Sequence, residues 1–239
     1  LGTMATIYNY DYYPKHMEKL GGWEKDNDYV EYRLDVPETA PEKYTKIAEM
    51  VEKRYNLHAR KLTKKEIFEG GYGKKLFDLI NVTYSHLYGF SELSERQINQ
   101  YVKMYFPLAD LDLITVVEDG NKDNQLVGLA ITIPSLTRAL QKCHRGRLFP
   151  FGWWHLLRAI KFHKTEVVDL LLIGVLPEYR SKGANSLVFA DLIPRYVKYG
   201  FKWGETHVEM ETNESVQSQW GPLDPTMHKK RRCYRKAIG

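Results

Sequence analysis

A basic, glycine-bearing turn follows an almost uninterrupted apolar run in the second half of the chain. The run covers residues 167–176 and is broken only by Asp169 and Gly174. It is too short for a membrane helix, which needs about 20 apolar residues, and its Val, Leu and Ile content predicts a strand buried on both faces. The turn, residues 180–185, precedes apolar residues at helical spacing. A strand, a glycine-bearing turn and a helix together predict an anion-binding site, because backbone N–H groups and the helix dipole converge there.

Four titratable side chains near this turn could carry chemistry. Asp169 lies inside the apolar run, where burial raises the pKa of a carboxylate towards the range useful for a base. We expect it to share a face with Val175, six residues on; a structural pairing with a nearby cation is the alternative. On the next predicted strand, alternation places His207, Glu209 and Glu211 on one face, although a solvated face would give the same pattern.

The rest of the chain predicts alternating strands and helices. Thr63 with Glu66, and Ser94 before an apolar periodic segment, are helix-start signals. The predicted elements are strands at 3–10, 29–36, 58–62, 112–118, 125–134, 166–176, 204–212 and 231–238, and helices at 14–20, 42–54, 94–106 and 184–199, with further helical segments after Thr63, within 136–164 and after Asn213.

Composition favours a globular domain with a substantial core. Of the 239 residues, 43% are hydrophobic. The two cysteines, Cys143 and Cys233, are far apart and form no CxxC pair, so we expect neither a disulfide framework nor a zinc site, and no other metal-ligand spacing is evident. The first residues lack a signal-peptide pattern, which predicts a cytoplasmic protein. Because Leu-Gly-Thr precedes Met4, the chain is expected to be part of something longer.

The net charge of +5 is unevenly distributed. Residues 138–164 hold seven Lys or Arg and no acid, and residues 228–236 hold six and no acid. Each region can be a solvated face or can lie near an anionic ligand or partner. The second region lacks an accompanying stacking platform, so we expect no nucleic-acid partner. We also expect no membrane span.

Residues 136–164 depart from a simple strand–helix pattern, and we call them the aromatic–basic insert. They predict two amphipathic helices around Pro150 and Gly152. The rings between them could cover a sheet face or a ligand cleft, form a substrate-side lid, or contact a membrane surface or nucleic acid. These rings are Phe149, Phe151, Trp153 and Trp154.

The element order from Leu57 onward, together with Arg180-x-x-Gly183, resembles the GNAT superfamily of acyl-CoA N-acyltransferases. Residues 3–36 are similar to the last part of another such unit, so the whole resembles bacterial proteins with two tandem GNAT-like halves. The resemblance implies an α/β (α+β) fold with a mixed, mostly antiparallel central sheet and helices on both faces. It divides the chain into residues 1–54, the tail of a first half plus a connector helix, and residues 55–239, a complete second unit containing the insert.

The resemblance also implies a site for acetyl-CoA or another acyl-CoA. The backbone amides of the turn would bind its pyrophosphate, and the strand before the turn would hydrogen-bond its pantetheine arm. Asn185 stands where the family has Gly or Ala. The implied cofactor-binding residues are Ile173, Val175, Arg180, Ser181, Lys182, Gly183, Ala184, Asn185 and Asn213.

For catalysis, the resemblance implies a carboxylate base early on the buried strand, which makes Asp169 the first candidate and Glu209 and Glu211 the alternatives. The family's acid is a tyrosine seven residues after an Asn. Here that position is Trp220, whose indole is no useful proton donor to a thiolate, so Tyr234 or water would replace it.

The implied function is transfer of an acetyl or other acyl group from acyl-CoA to a primary amine on a small molecule or a protein. Because of Asn185 and Trp220, the alternative is a GNAT-like module without catalysis that binds CoA or a protein partner.

Overall fold

The computed structural model describes Thr6 and residues 9–238. The strand expected at 3–10 therefore falls largely outside the described residues. The strands are β1 (Glu24–Asp35), β2 (Leu57–Arg60), β3 (Ile114–Asp119), β4 (Gln125–Pro134), β5 (Val167–Val175), β6 (Trp203–Thr206), β7 (Glu209–Met210) and β8 (Thr226–Arg235). The helices are α1 (Tyr12–Leu20), α2 (Glu42–Tyr55), α3 (Lys64–Phe68), α4 (Tyr72–Tyr84), α5 (Glu95–Tyr105), α6 (Thr137–Gln141), α7 (Gly152–Phe162), α8 (Pro177–Arg180), α9 (Ala184–Tyr199) and α10 (Glu214–Gln217).

The strands form one sheet of mixed direction. Its order is β2-β3-β4-β5-β6-β1, with β7 continuing after β6 along one side of β1 and β8 on the other side. β5 and β6 run parallel, and the remaining pairs are antiparallel. This arrangement confirms the predicted fold class.

Helices cover both faces of the sheet, as expected from the apolar periodicity of the helices. On one face, α2 and α9 pack on the sheet through a core that includes Val51, Leu187 and Val168. On the other face, α3, α4 and α5 form a second core that includes Leu76, Ile98 and Leu129.

Local chemistry explains several element boundaries. Thr63 and Ser94 each accept from the backbone N–H three residues on, and Glu66 and Gln97 complete the two capping boxes, as predicted for the first. Gly200 ends α9 with a left-handed backbone (φ 76°).

The strand expected at 204–212 is divided. β6 ends at Thr206 and β7 resumes at Glu209, because β6 pairs with both β5 and β1 whereas β7 pairs with β1 alone. The last strand begins at Thr226, earlier than the expected 231, and the helix after Asn213 is a single turn, α10, with Trp220 beyond its end.

β1 lies inside the sheet rather than at its edge, and α2 contributes to the same core as α9. Residues 24–55 are thus part of the same sheet and core as the rest. The division at residue 54 into parts of two tandem units stays a prediction.

The basic residues 228–236 are largely neutralised within the sheet. Arg232 makes two bonds to Asp28 of β1, at 2.8 and 2.9 Å. Lys229 and Arg231 both contact buried Glu31, and Lys229 also contacts Glu205 of β6. The cations of β8 therefore form ion pairs with neighbouring strands of the same sheet. They do not form the solvated face that was the first of the two expectations for this region.

Across residues 9–238, no helix is both long enough and apolar enough to cross a bilayer.

Candidate active site

A cleft opens in the sheet where β5 and β6 separate. The two strands pair in parallel from Val167 and Trp203 as far as Leu170 and Thr206. Beyond Leu170 the sides of β5 and β7 that would otherwise pair face a cavity of about 300 Å³. The cavity is lined on one face of the sheet by the end of α4 and the loop 86–90, and on the other face by α10 and Trp220. The opening thus connects the two faces of the sheet.

A β-bulge marks the point of separation. In the pairing with β4, Ile131 lies opposite Leu172 and Thr132 opposite Leu170, so Leu171 is an extra residue in β5. Such an insertion shifts the alternation of side chains by one. Asp169 consequently shares its face with Leu172 and Gly174, and the expectation that it shares the face of Val175 is wrong.

Asp169 lies in the paired part of β5 and is not among the residues lining the cleft. It is 6% exposed, and its Oδ1 has no hydrogen-bond partner among the described residues. Burial raises the pKa of Asp169 to about 7, with the neighbouring Glu205 adding to the effect, while Ser135 and Lys229 oppose it. The expected raised pKa is present, but at a position removed from the cleft.

Glu209 is the carboxylate that the structure places in the cleft. It is 9% exposed, and the indole N–H of Trp220 donates to its Oε1 and Oε2, at 3.0 and 3.2 Å. Burial raises the pKa of Glu209 to about 7 despite this bond. His207 lines the same cleft, and burial lowers its pKa, which favours the neutral imidazole.

The hydroxyl of Tyr84 is hydrogen-bonded to the backbone of β5 inside the cleft. It donates to the carbonyl oxygen of Ile173 at 3.0 Å and accepts from the Ile173 N–H at 3.3 Å. α4 can approach this closely because residue 174 is glycine: a Cβ there would lie 2.8 Å from Oγ1 of Thr83. The backbone groups predicted for a pantetheine arm at Ile173 therefore have an internal partner.

Arg180 turns back into the protein. Its Nε donates to the carbonyl oxygen of Val175 at 3.0 Å, and it lines the cleft together with Asn185. Val175 is the second residue whose backbone was predicted to bind the pantetheine arm. Its carbonyl group therefore also has a hydrogen-bond partner within the protein.

The turn between β5 and α9 has the geometry expected of a tight strand-to-helix connection. Gly183 has φ +82°, and a Cβ there would lie 3.0 Å from Cγ2 of Ile47. The amides of Lys182, Gly183 and Ser186 bond to carbonyl groups of the same turn. No described side chain caps the N terminus of α9.

Other predicted residues lie in several places. Ser181, Lys182, Gly183 and Ala184 do not line the cavity, and Lys182 stacks over the rings of Tyr55 and Tyr179. Asn213 lines the cavity.

Two predicted catalytic residues lie elsewhere. Glu211 is paired with Lys25 and Lys230 at the surface. Tyr234, on β8, lines a groove with residues 9–17. Neither lines the cleft, because β7 ends before Glu211 and β8 lies on the far side of β1.

The sequence reasoning missed Tyr84 and the loop 86–90. Tyr84 is the last residue of α4, and its hydroxyl is the signal that the sequence offers. The loop 86–90 is fixed across the cleft, since Tyr88 bonds to Asp26 and Tyr29 of β1 through its hydroxyl and carbonyl groups.

One group of residues in the described part of the chain could hold a metal ion: Glu31, Glu205 and His228. Lys229 already places its ammonium against both carboxylates, so these residues serve an ion-pair network.

The rings of the aromatic–basic insert cover neither a sheet face nor the cleft. Phe149 and Phe151 are 77% and 71% exposed, and Trp153 and Trp154 are exposed as well. No insert residue lines the cavity, and the substrate-side lid stays a prediction.

Comparison with known proteins adds relatives at low sequence identity. No family model matches the chain. It is 23% identical over 175 residues to the bacterial ceramide synthase of Caulobacter vibrioides, covering 68% of this chain and 42% of the relative. The chain therefore spans less than half the length of that curated relative.

Among solved structures, a GCN5-related N-acetyltransferase from Sphaerobacter thermophilus matches with a TM-score of 0.57 at 12% identity, covering 93% of this chain and 55% of that one. A tandem GNAT protein from the clavulanic acid biosynthesis pathway matches with a TM-score of 0.50 at 13% identity, covering 97% and 60%. Together with the parallel β5–β6 pair that separates at a bulge, these similarities show that the chain has the fold of the GNAT N-acetyltransferases.

Proposed function

We propose that the protein transfers an acyl group from acyl-CoA to a primary amine, with Glu209 as the general base. The observation that carries the proposal is a buried carboxylate, with its pKa raised to about 7, lining the cleft where β5 and β7 are apart. A base with a pKa near the working pH combines a useful ionised fraction with proton affinity.

The reaction is a direct displacement. The amine nitrogen attacks the thioester carbonyl carbon, a C–N bond forms and the C–S bond breaks. Glu209 accepts a proton from the amine, and the leaving thiolate takes a proton from water. Trp220 supports the base by donating to its carboxylate, and neutral His207 is available beside it as a polar contact.

The chain's residues fit an acyl-CoA in two places. The uncapped N terminus of α9, with Gly183 before it, is suited to the pyrophosphate. The side of β5 at Ile173 and Val175 is suited to the pantetheine arm, provided that Tyr84 and Arg180 give up their bonds to these residues.

The acceptor is proposed to be an amine with an apolar body. The cleft lined by Glu209 is also lined by the apolar residues Leu87, Phe90 and Val216. The Caulobacter relative is named a ceramide synthase, and a ceramide is the amide of a long-chain amine. Amphiphilic amines are therefore tested as acceptors together with small polar amines and protein amino groups.

A second candidate is a module that binds CoA or a protein partner without turnover. Two side chains favour this candidate. The Tyr84 hydroxyl is bonded to the backbone of Ile173, and the Asn185 side chain lines the cavity. Both lie where a bound cofactor would need backbone groups that are free to form hydrogen bonds.

Two measurements separate the candidates. Thermal unfolding is followed with and without acetyl-CoA and a long-chain acyl-CoA; ligand at 100-fold its Kd stabilises by about 2.7 kcal/mol. Release of free CoA thiol is then measured with short, long-chain and peptide amines. A thermal shift with amine-dependent thiol release supports transfer, a shift without release supports the binding module, and no shift with any acyl-CoA contradicts both as CoA proteins.

A further inference from the structure

The loop between α6 and α7 exposes large apolar side chains at the protein surface. Leu148, Phe149 and Phe151 are 49%, 77% and 71% exposed. They are close in sequence and are followed directly by the exposed indoles of Trp153 and Trp154. Large exposed apolar patches on soluble proteins usually mark interaction sites, so we expect this loop to contact a partner.

α7 extends the same surface along its length. Trp154, Arg158, Lys161 and Phe162 recur at the spacing of one helical face and are all exposed, with the rings of Trp154 and Phe162 6.3 Å apart. The opposite side of the helix turns Ala159 inward. The solvent side of α7 therefore carries both aromatic rings and cations.

The charge of the insert is unbalanced, unlike that of β8. All seven Lys and Arg of residues 138–164 are exposed. Within the described part of the chain their ion pairs amount to one long contact, between Arg138 and Glu166 at 3.9 Å. The cations of β8, by contrast, meet carboxylates of β1, β6 and the residues after β7. An anionic surface is therefore the complementary partner for the insert alone.

The insert is held in place against the body of the protein. His163, just after α7, lies 2.7 Å from Oδ2 of Asp110 and stacks on Tyr199 of α9 with 3.8 Å between ring centroids. Within the insert, Cys143 is buried and contacts the Gly152 carbonyl at 3.5 Å. These contacts present the exposed side chains on a fixed base.

We propose that the aromatic–basic insert docks the protein on an anionic lipid membrane, with Leu148, Phe149 and Phe151 entering the interface and the cations contacting the headgroups. The combination of a Trp- and Phe-bearing helix face with Lys and Arg is that of interfacial binding. Nucleic acid is the weaker partner, because Leu148 in the same exposed loop is aliphatic and offers no stacking for a base. The proposal does not depend on the acyl-transfer chemistry.

The test uses the full-length protein and sedimentation with vesicles of phosphatidylcholine alone or of equal parts phosphatidylcholine and phosphatidylglycerol. We expect binding to the anionic vesicles only, with a blue shift of tryptophan emission that Trp153→Phe/Trp154→Phe removes. Phe149→Ser/Phe151→Ser is expected to weaken binding at least tenfold, because both rings would no longer be buried in the interface. Phe68→Ser, an exposed phenylalanine of α3 outside the insert, is the matched control and should bind as the parent does.

Charge is tested separately with Arg158→Glu/Lys161→Glu. Each lost cation is expected to weaken binding roughly fivefold, and added salt should do the same for the parent protein. Lys43→Glu/Lys53→Glu on α2 changes the net charge equally outside the insert and should weaken binding less. No vesicle binding by the parent, equal loss with the control variants, or salt-sensitive binding to polyuridine without vesicle binding would each overturn the proposal.

Discussion

The indole nitrogen of Trp220 lies 3.0 Å from Oε1 and 3.2 Å from Oε2 of Glu209, and both residues are buried. The ring of Trp220 is fixed in turn by edge-on packing against Phe189 of α9, with 5.7 Å between centroids. The indole of Trp220 therefore holds the carboxylate of Glu209 in place inside the cleft.

Replacing Glu209 with Gln should lower the rate of amine-dependent thiol release by about 10²-fold or more, because proton transfer by a positioned side chain contributes that much. The thermal shift with acyl-CoA should remain. Glu211→Gln, two residues on and paired at the surface with Lys25 and Lys230, is the control and should keep most of the rate. Equal rates for the two variants would remove Glu209 as the base.

Trp220→Phe should move the acidic limb of the pH–rate profile to higher pH. The indole hydrogen bond lowers the pKa of Glu209 against the effect of burial, so its loss raises that pKa further and delays ionisation of the base. The measurement is kcat/KM against pH, with Trp203→Phe on β6 as control. An unmoved limb in Trp220→Phe would show that the indole does not set the titration of the base.

Asp169 should make folding stability depend on pH. Its pKa is about 7 when folded and about 3.9 when unfolded, so the folded state holds a proton that the unfolded chain has lost between these values. Stability contributed by this group is present below pH 4 and is lost as pH rises through 7.

Asp169→Asn should therefore stabilise the protein at pH 8 by on the order of 2 kcal/mol relative to the parent, and much less at pH 5. Urea unfolding at both pH values measures this, and Asp35→Asn, at an exposed ion pair with Arg33, is the comparison. The same difference at both pH values would contradict the raised pKa.

Tyr84→Phe removes the hydroxyl that occupies the backbone of Ile173 in the cleft. The unmet backbone groups should cost about 1–2 kcal/mol of unfolding free energy. Because the hydroxyl competes for groups suited to the pantetheine arm, the thermal shift with acyl-CoA should increase. Tyr101→Phe on α5 controls for loss of a hydroxyl elsewhere. A smaller acyl-CoA shift in Tyr84→Phe alone would mean that the hydroxyl belongs to the cofactor site.

Much of the fold follows from local patterns. The helix predicted at 184–199 and the strand predicted at 125–134 have the bounds that the structure shows, because glycine, proline and apolar spacing coincide there. The capping box of Thr63 is readable for the same reason. The break of the predicted 204–212 strand at His207 cannot be predicted from local patterns. It depends on where β5 separates from β6 and not on the residues of the strand itself.

The site was predicted less completely because it depends on register. Regular alternation along the strand predicts that Asp169 shares a face with Val175, but the extra residue Leu171 puts the two side chains on opposite faces. No residue type in the sequence indicates such a bulge. Glu209, by contrast, was identified as an alternative base from simple alternation. The exposure of Phe149 and Phe151 could not be inferred, since rings that are buried over a sheet face or a cleft would have the same sequence composition.

The pairing of β1 with β8 has a consequence for how the chain folds. Asp28 and Arg232 meet across 204 positions of sequence, and β1 also needs β6 and β7, which come almost as late. During synthesis the first strand of the sheet must wait for the last, and long-range pairing of this kind slows folding. A variant chain that begins at Leu57 would lack β1, the strand with which β6, β7 and β8 all pair. Their backbone groups on that side would stay unpaired, and we expect the variant to aggregate rather than fold.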